Sequence, residues 1–299
     1  MMAEEAQQTL TALVIGGSGF IGSHVSDHLT HAGHRVRVYD RVESPWLQDG
    51  QEICIGELAD RAALCEAIDG CDVVYNFAAL ADLERAMDRP VETVEVNVLG
   101  NVYALEACRQ FGVRRFLYAS TVYVSGREGG FYRASKLAAE EYVVEYRRAY
   151  GLEHTILRFG SLYGPRSDVN NGLRRIVAEA ITSGTVRYVG SPEAVREYIH
   201  VEDAARASVA ALAPEFADQR VVLSGREAIR VLDVLEMVSE ILGLEGGVEF
   251  VDGELPGHYV RTPYSADRTL SRKFTPNLAV DLGQGLVQLV EDVRADLAG

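Results

Sequence analysis

The segment from Thr11 to Gly22 constrains this chain more than any other. Its apolar run Ala12-Leu13-Val14-Ile15 leads straight into glycines at 16, 19 and 22. An amphipathic stretch, Ser23 to Ala32, follows, and Val36-Arg37-Val38-Tyr39-Asp40 reads as a second strand ending in an acid. The order is strand, glycine turn, helix, strand, acid. The three glycines allow a tight turn, close backbone approach to a pyrophosphate, and close packing of helix on strand. The pyrophosphate sits on the amides at the helix N-terminus, where the dipole is positive, and Phe20 and Ile21 of the turn are cofactor-binding candidates with the glycines. Asp40 is placed to accept hydrogen bonds from a ribose diol and to repel a 2′-phosphate, which favours NAD over NADP. Arg41 beside it pulls the other way.

A second constraint is chemical. Tyr132 and Lys136 are four residues apart in Tyr132-Arg133-Ala134-Ser135-Lys136, so on a helix they share one face. A free phenol has a pKa of about 10 and is a poor base at neutral pH. A nearby ammonium and a positive nicotinamide ring favour the phenolate. The pair makes a general base beside a hydride acceptor. Upstream, Tyr118-Ala119-Ser120-Thr121 ends a strand in two hydroxyls, and either Thr121 or Ser120 is the partner of Tyr132.

Strands and helices alternate from Leu10 to about Leu157, including a long helix over 91–111 and another over 134–150. Alternation of this kind predicts an α/β fold, a doubly wound parallel sheet of Rossmann type covered on both faces. Ligands in such sheets lie beyond the carboxyl ends of the strands, where Gly16, Asp40, Ala78, Thr121 and Ser161 all fall. After Gly164-Pro165 the rhythm changes. The reading is a cofactor domain of residues 1–164 plus 198–224. A smaller, discontinuous substrate lobe takes residues 165–197 plus 225–299.

Composition narrows the partners. The 299 residues are enough for a large core. A formal net charge of −15 disfavours nucleic acid and anionic membranes. No apolar run approaches the ~20 residues of a membrane span, and the first ten residues do not resemble a signal or transit peptide. Cys54, Cys65, Cys71 and Cys108 lack metal-ligand spacing, so no metal site is expected and a cytoplasmic setting is inferred.

These residues resemble the extended short-chain dehydrogenase/reductase family, its nucleotide-sugar epimerase/dehydratase branch in particular. The similarity runs through Gly16-Gly17-Ser18-Gly19-Phe20-Ile21-Gly22, Tyr75-Asn76-Phe77-Ala78-Ala79, Asn97-Val98-Leu99-Gly100-Asn101 and Tyr118 to Tyr123. It continues through Arg158 to Pro165 and Arg196 to Asp203. The resemblance implies that Glu57 and Leu58 flank the adenine, that Ala78 and Ala79 line the cofactor, and that Asn97 orients Lys136. It implies that Arg196 grips the diphosphate of a nucleotide sugar, a role suited to a guanidinium fork. Arg174, Arg261, Asn171 and Ser161 are the further substrate candidates. Relatives pair two long helices into a homodimer, and Val98, Val102, Leu105, Leu137, Tyr142, Val143 and Tyr146 supply apolar surface for it here.

The chain also departs from that family. Ser125-Gly126-Arg127-Glu128-Gly129-Gly130 replaces a longer loop, which predicts a more open sugar pocket that accepts bulkier sugars. Dehydratases of the family carry Asp-Glu directly after the catalytic Thr, whereas Val122 and Tyr123 follow Thr121. The expectation is an NAD-dependent nucleotide-sugar epimerase. The alternatives are an NAD(P)-dependent dehydrogenase or reductase, a dehydratase, or a non-catalytic dinucleotide sensor.

Overall fold

The first strand, β1 (Thr11–Ile15), is apolar on both sides, and all but its first residue are buried. A strand buried on both faces belongs in the middle of a parallel sheet. The computed structural model, which describes residues 9–251, 253, 257–263, 272–274 and 279–298, puts it there. The sheet has eight strands. From one edge the order is β3 (Gln51–Ile55), β2 (Arg35–Asp40), β1, β4 (Val73–Asn76), β5 (Arg115–Thr121) and β6 (Glu153–Phe159). Strands Gln219–Leu223 and Arg272–Lys273 complete it. Every pairing in it is parallel. The order reverses between β1 and β4, and the crevice of a doubly wound sheet opens at that point.

Helices cover both faces. On one side Val25 and Leu29 of α1 (Phe20–His31) share a core with Ala204, Ala205 and Ala207 of a helix near residue 200. On the other, α2 (Arg61–Ile68) packs with the two long helical stretches. The first of these is not one helix, as its sequence had led us to expect. After α3 (Leu83–Asp88) it splits into α4 (Pro90–Val94), a wide π-type turn over Glu95–Gly100, and α5 (Asn101–Gln110). Pro90 opens α4 at a first-turn position, where its missing N–H costs nothing. The π-type turn carries Asn97. The second stretch, α6 (Gly130–Tyr150), begins early enough to hold both Tyr132 and Lys136.

The remaining helices are α7 (Gly172–Ser183), α8 (Val201–Ala210), α9 (Val231–Leu242) and α10 (Leu282–Ala298). Leu173 and Val177 of α7, Val234 and Val238 of α9, and Leu286 and Leu289 of α10 form a third apolar core. That core stands over the carboxyl ends of the sheet strands. It supplies the second wall of the crevice.

Candidate functional site

Between the sheet ends and this second wall lies a crevice of about 670 Å³. Its floor is the glycine turn. Gly16 has φ +77°, and a Cβ there would meet the Ala78 backbone nitrogen at 2.6 Å. A Cβ on Gly22 would collide with the Gly16 carbonyl. Only glycine lets β1, α1 and the end of β4 approach this closely. Gly19, Phe20, Ile21 and Gly22 line the crevice at the start of α1. Asp40 ends β2 beside them, its Oδ2 accepting the Ser18 amide at 3.0 Å. The acid therefore braces the turn. Arg41 lines the crevice next to it.

Tyr132 and Lys136 project from α6 into the same space. The Lys136 ammonium is buried, donates to the Ala119 carbonyl at 2.8 Å and lies 4.9 Å from the Tyr118 ring centre. Loss of water holds Lys136 down to about 7, with the Glu140 carboxylate acting in the opposite direction. Burial pushes the Tyr132 phenol up to about 12, and a hydrogen bond with Thr121 works against that rise. This contact separates the two candidate hydroxyls. Ser120 donates instead to Glu140 at 2.6 Å. Glu140 is fully buried and takes both ends of the Arg158 guanidinium at 2.9 and 2.7 Å. Thr121 faces Tyr132, while Ser120 ties the end of β5 to a buried ion pair.

Asn97 makes no direct bond to Lys136 among the described contacts. Its side chain accepts the Leu80 amide at 2.7 Å and donates to the Leu80 carbonyl at 3.0 Å and to Ser135 Oγ at 2.9 Å. It fastens the loop after β4 to α6 beside Lys136, behind the crevice wall. Glu57 accepts the Tyr39 hydroxyl on its carbonyl at 2.9 Å. Leu58 packs against Gly100 of the π-type turn, where a Cβ would meet it at 2.9 Å. Ala79 lines the crevice, and Ala78 donates its amide to Asn76 at 3.2 Å.

On the substrate side, Ser161, Asn171 and Arg196 line the crevice. Asn171 caps α7 and donates to the Leu162 carbonyl at 2.9 Å. Arg196 lies with its guanidinium 4.4 Å over the Tyr259 ring. Two candidates are corrected. Arg174 points away from the crevice, held by Asp292 at 2.6 Å and by Asp296 on α10. Arg261 is exposed, sits in a lone bridge with Val195, and is not part of the crevice wall.

The structure adds residues that the sequence reading missed: Tyr123, Arg175, His258 and Tyr259. Tyr259 packs at a tilt against Tyr123, ring centres 4.7 Å apart, and brings its hydroxyl to 3.3 Å from Ser161 Oγ. Tyr123 meets His258 at 3.3 Å and packs edge-on against Tyr132 at 6.3 Å. The short loop is bonded to this segment, Gly129 donating to the Gly257 carbonyl at 2.9 Å. The gap expected beside the sugar is thus partly filled by residues 257–263. Helical phase would have found Arg175, since one step of about 100° turns it from Arg174's face toward the crevice. His258 and Tyr259 carried no local signal.

Comparison with known proteins agrees with this geometry. The sequence model of the NAD dependent epimerase/dehydratase family matches residues 12–223. The UDP-glucose 4-epimerase of Thermus thermophilus, solved in complex with NAD, superposes with a TM-score of 0.82 at 29% identity. The match covers 95% of this chain and 99% of that one. The UDP-glucose 4-epimerase of Thermotoga maritima, solved with UDP-glucose, gives a TM-score of 0.81 at 25% identity, over 96% of this chain and all of that one. The dTDP-glucose 4,6-dehydratase of Mycobacterium tuberculosis is 29% identical over 222 residues, 64% of this chain and 65% of its own.

Proposed function

The chain belongs to the NAD dependent epimerase/dehydratase family, and from that premise we propose that it is an epimerase of a nucleotide-diphosphate sugar. The residues fit NAD: the Gly16 and Gly22 cradle is one that a Cβ would fill, Asp40 braces the turn through Ser18, and Lys136 lines the same crevice. Bound there, NAD would supply a reversible hydride acceptor for a sugar carbinol.

The rest is done by the chain. Tyr132 takes the carbinol proton, Thr121 hydrogen-bonds the same oxygen, and Lys136 holds positive charge beneath the phenolate. Once the keto-sugar has turned its other face, Tyr132 returns the proton. The observation that carries this reading is the pair of residues after Thr121. Val122 is buried and Tyr123 is bonded to His258, so neither position offers the extra carboxylic acid and base that dehydration needs.

The test is incubation of the purified protein with UDP- and dTDP-sugars, with NMR of the anomeric protons as the readout. Interconversion of two epimers with no net change in NADH supports the reading. A keto-deoxy product would make the enzyme a dehydratase. Accumulating NADH would make it a dehydrogenase.

A homodimer goes with this reading. Leu105 and Val143, expected on the shared face, belong to the subunit's own core, and a different set is exposed. Val91 at 69%, Val94 at 48%, Leu99 at 43% and Tyr142 at 47% exposure form an apolar surface on α4, the π-type turn and α6. A second copy related by a two-fold axis would cover it. Light scattering checks this, and Val94→Glu should yield monomers. No described helix is long and apolar enough to cross a membrane. The substrate class and the four free cysteines fit a cytoplasmic enzyme.

A further inference from the structure

One face of α1 reaches from the cofactor wall to the start of the substrate wall. His24, Asp27 and His28 stand at i, i+3 and i+4 of the helix, so they share that face. His24 follows Gly22 by two residues, just beyond the turn that lines the crevice. Against this face runs the chain that leaves β7 (Ser161–Tyr163), from Pro165 to Asn171, and its Asp168, Asn170 and Asn171 line the crevice before α7 begins. Arg166 makes one tie between the two. It donates to Asp27 Oδ2 at 2.8 Å and lies 4.9 Å over the Trp46 ring. Its φ of +62° is a left-handed conformation, which a residue other than glycine keeps only where its surroundings fix it.

His24 makes the other tie, and its two bonds set a condition on its charge. The ring is buried. Nδ1 lies 2.8 Å from Glu202 Oε1 on α8, and Nε2 lies 3.1 Å from the Pro165 carbonyl oxygen. A carbonyl oxygen only accepts, and so does an ionised carboxylate. Glu202 is kept ionised: hydrogen bonds from His24 and then His28 hold its carboxyl well below the usual carboxylate range, against the burial that acts in the opposite sense. A neutral imidazole carries one N–H and satisfies one of the two oxygens. The imidazolium satisfies both. On α8 the ring also feels His200, whose own pKa is lowered by burial, while Asp203 is turned to Arg206 and to the Ala279 and Val280 amides. On α1, Asp27 is committed to Arg166, and His28 Nε2 takes the second Glu202 oxygen at 2.8 Å.

We propose that His24 is a positioning residue that, as an imidazolium, holds the Pro165 end of the substrate wall against the cofactor helix and releases it on losing its proton. The held form binds a proton that the released form can give up, so rising pH favours release. The ligand affected is the nucleotide sugar, and to that extent the proposal rests on the reading above. The tie between the walls does not.

Two measurements on the full-length, NAD-loaded protein test it. The first is NMR of the histidine rings in the wild type, with His24 assigned through the backbone. The ring should titrate, and the amides of Asp168, Asn170 and Asn171 should move in step with it. A ring that stays neutral from about pH 5.5 to about pH 9, or that titrates without moving those amides, overturns the proposal. The second is calorimetric titration over that range with UDP-glucose, a diphosphate diester with no ionisation of its own there. Wild-type affinity should fall up to about tenfold as pH rises, the worth of a hydrogen bond to a charged group. His24→Gln should lack that step and bind as the alkaline wild type does. His28→Gln, which leaves the Pro165 bond in place, should keep the step. Arg166→Gln should weaken binding at every pH and keep it too. If His24→Gln shows the wild-type step, the proposal falls and the nucleotide-sugar reading stands. If UDP-glucose binds at no pH while the amides still follow the His24 ring, the substrate reading fails and the tie between the walls stands.

Discussion

The two walls of the crevice are built in opposite ways. The cofactor wall is braced by short, buried contacts among neighbours in the fold. Asp40 holds the Ser18 amide, Asn97 joins Leu80 to Ser135, and Ser120 is tied through Glu140 to Arg158. The substrate wall depends on a few contacts between distant segments: Ser161 with Tyr259, Tyr123 with His258, and Arg196 with Val260. The first wall can hold a reacting pair to within the tolerance of proton transfer. The second can exchange side chains with little cost to the sheet. In the proposed reading one wall fixes the chemistry, and the other chooses the molecule on which it acts.

The largest expected effect strikes the first wall. Tyr132→Phe keeps the ring's packing against Tyr123 and removes only the oxygen that meets Thr121. Turnover should fall about 10²- to 10⁴-fold, the usual worth of a general base. NAD affinity, read by fluorescence titration, should barely change. Full activity in this variant would end the proposed mechanism. Next comes Glu140→Ala, which strands the buried Arg158 guanidinium. Breaking a buried ion pair by removing one partner costs about 3–5 kcal/mol. Denaturant unfolding should show a loss of that size, and a loss under about 1 kcal/mol would mean that the wall is braced elsewhere.

Lys136 sharpens the contrast from the other direction, because here function opposes stability. Burial lowers its folded-state pKa from 10.5 to about 7, so the unfolded chain binds the proton more tightly. Folding stability therefore rises with pH between about 7 and 10.5, and the cost of the buried ammonium is greatest toward neutrality. Lys136→Met should abolish useful turnover yet stabilise the cofactor-free protein near pH 7, by at most about 4 kcal/mol. The gain should shrink by pH 10. Thermal melts at the two pH values check it, and a destabilised variant at pH 7 would overturn the argument.

How far each wall could be read from sequence reflects the same difference. Gly16, Gly22 and Asp40 lie within one βαβ unit, and Tyr132 and Lys136 within one helical turn. Periodicity and spacing report such local arrangements directly. The hydroxyl partner of Tyr132 is not legible, because Ser120 and Thr121 both line the crevice and only the place of Glu140 tells which hydroxyl is already taken. Asn97 is legible as a site candidate, but its partners Leu80 and Ser135 are not, since the wide turn over Glu95–Gly100 breaks the phase that a continuous helix would give. On the substrate wall the ion partners that draw Arg174 aside, Asp292 and Asp296, lie more than a hundred residues away. Tyr259 and His258 were invisible for the same reason: tertiary contacts of that span leave no local pattern.

The smallest expected effect separates the acid's two roles within the cofactor wall. Asp40 braces the glycine turn through Ser18, and the sequence motif assigns its charge to the place of a 2′-phosphate. Asp40→Ala removes both. Losing the brace weakens both cofactors alike, by roughly the 1.5–3 kcal/mol of a hydrogen bond to a charged group. Losing the charge helps NADP alone, and Arg41 beside it is then free to favour the phosphate. The preference of the wild type for NAD over NADP should therefore narrow about tenfold, a change of about 1.4 kcal/mol, while absolute NAD affinity declines. Asp40→Asn is the sharper variant, since its amide oxygen can still accept the Ser18 amide. It should keep most of the NAD affinity and still narrow the preference. Titration of both cofactors into the three proteins decides the matter. If the preference survives in both variants, selectivity comes from the shape of the wall and not from the charge at Asp40.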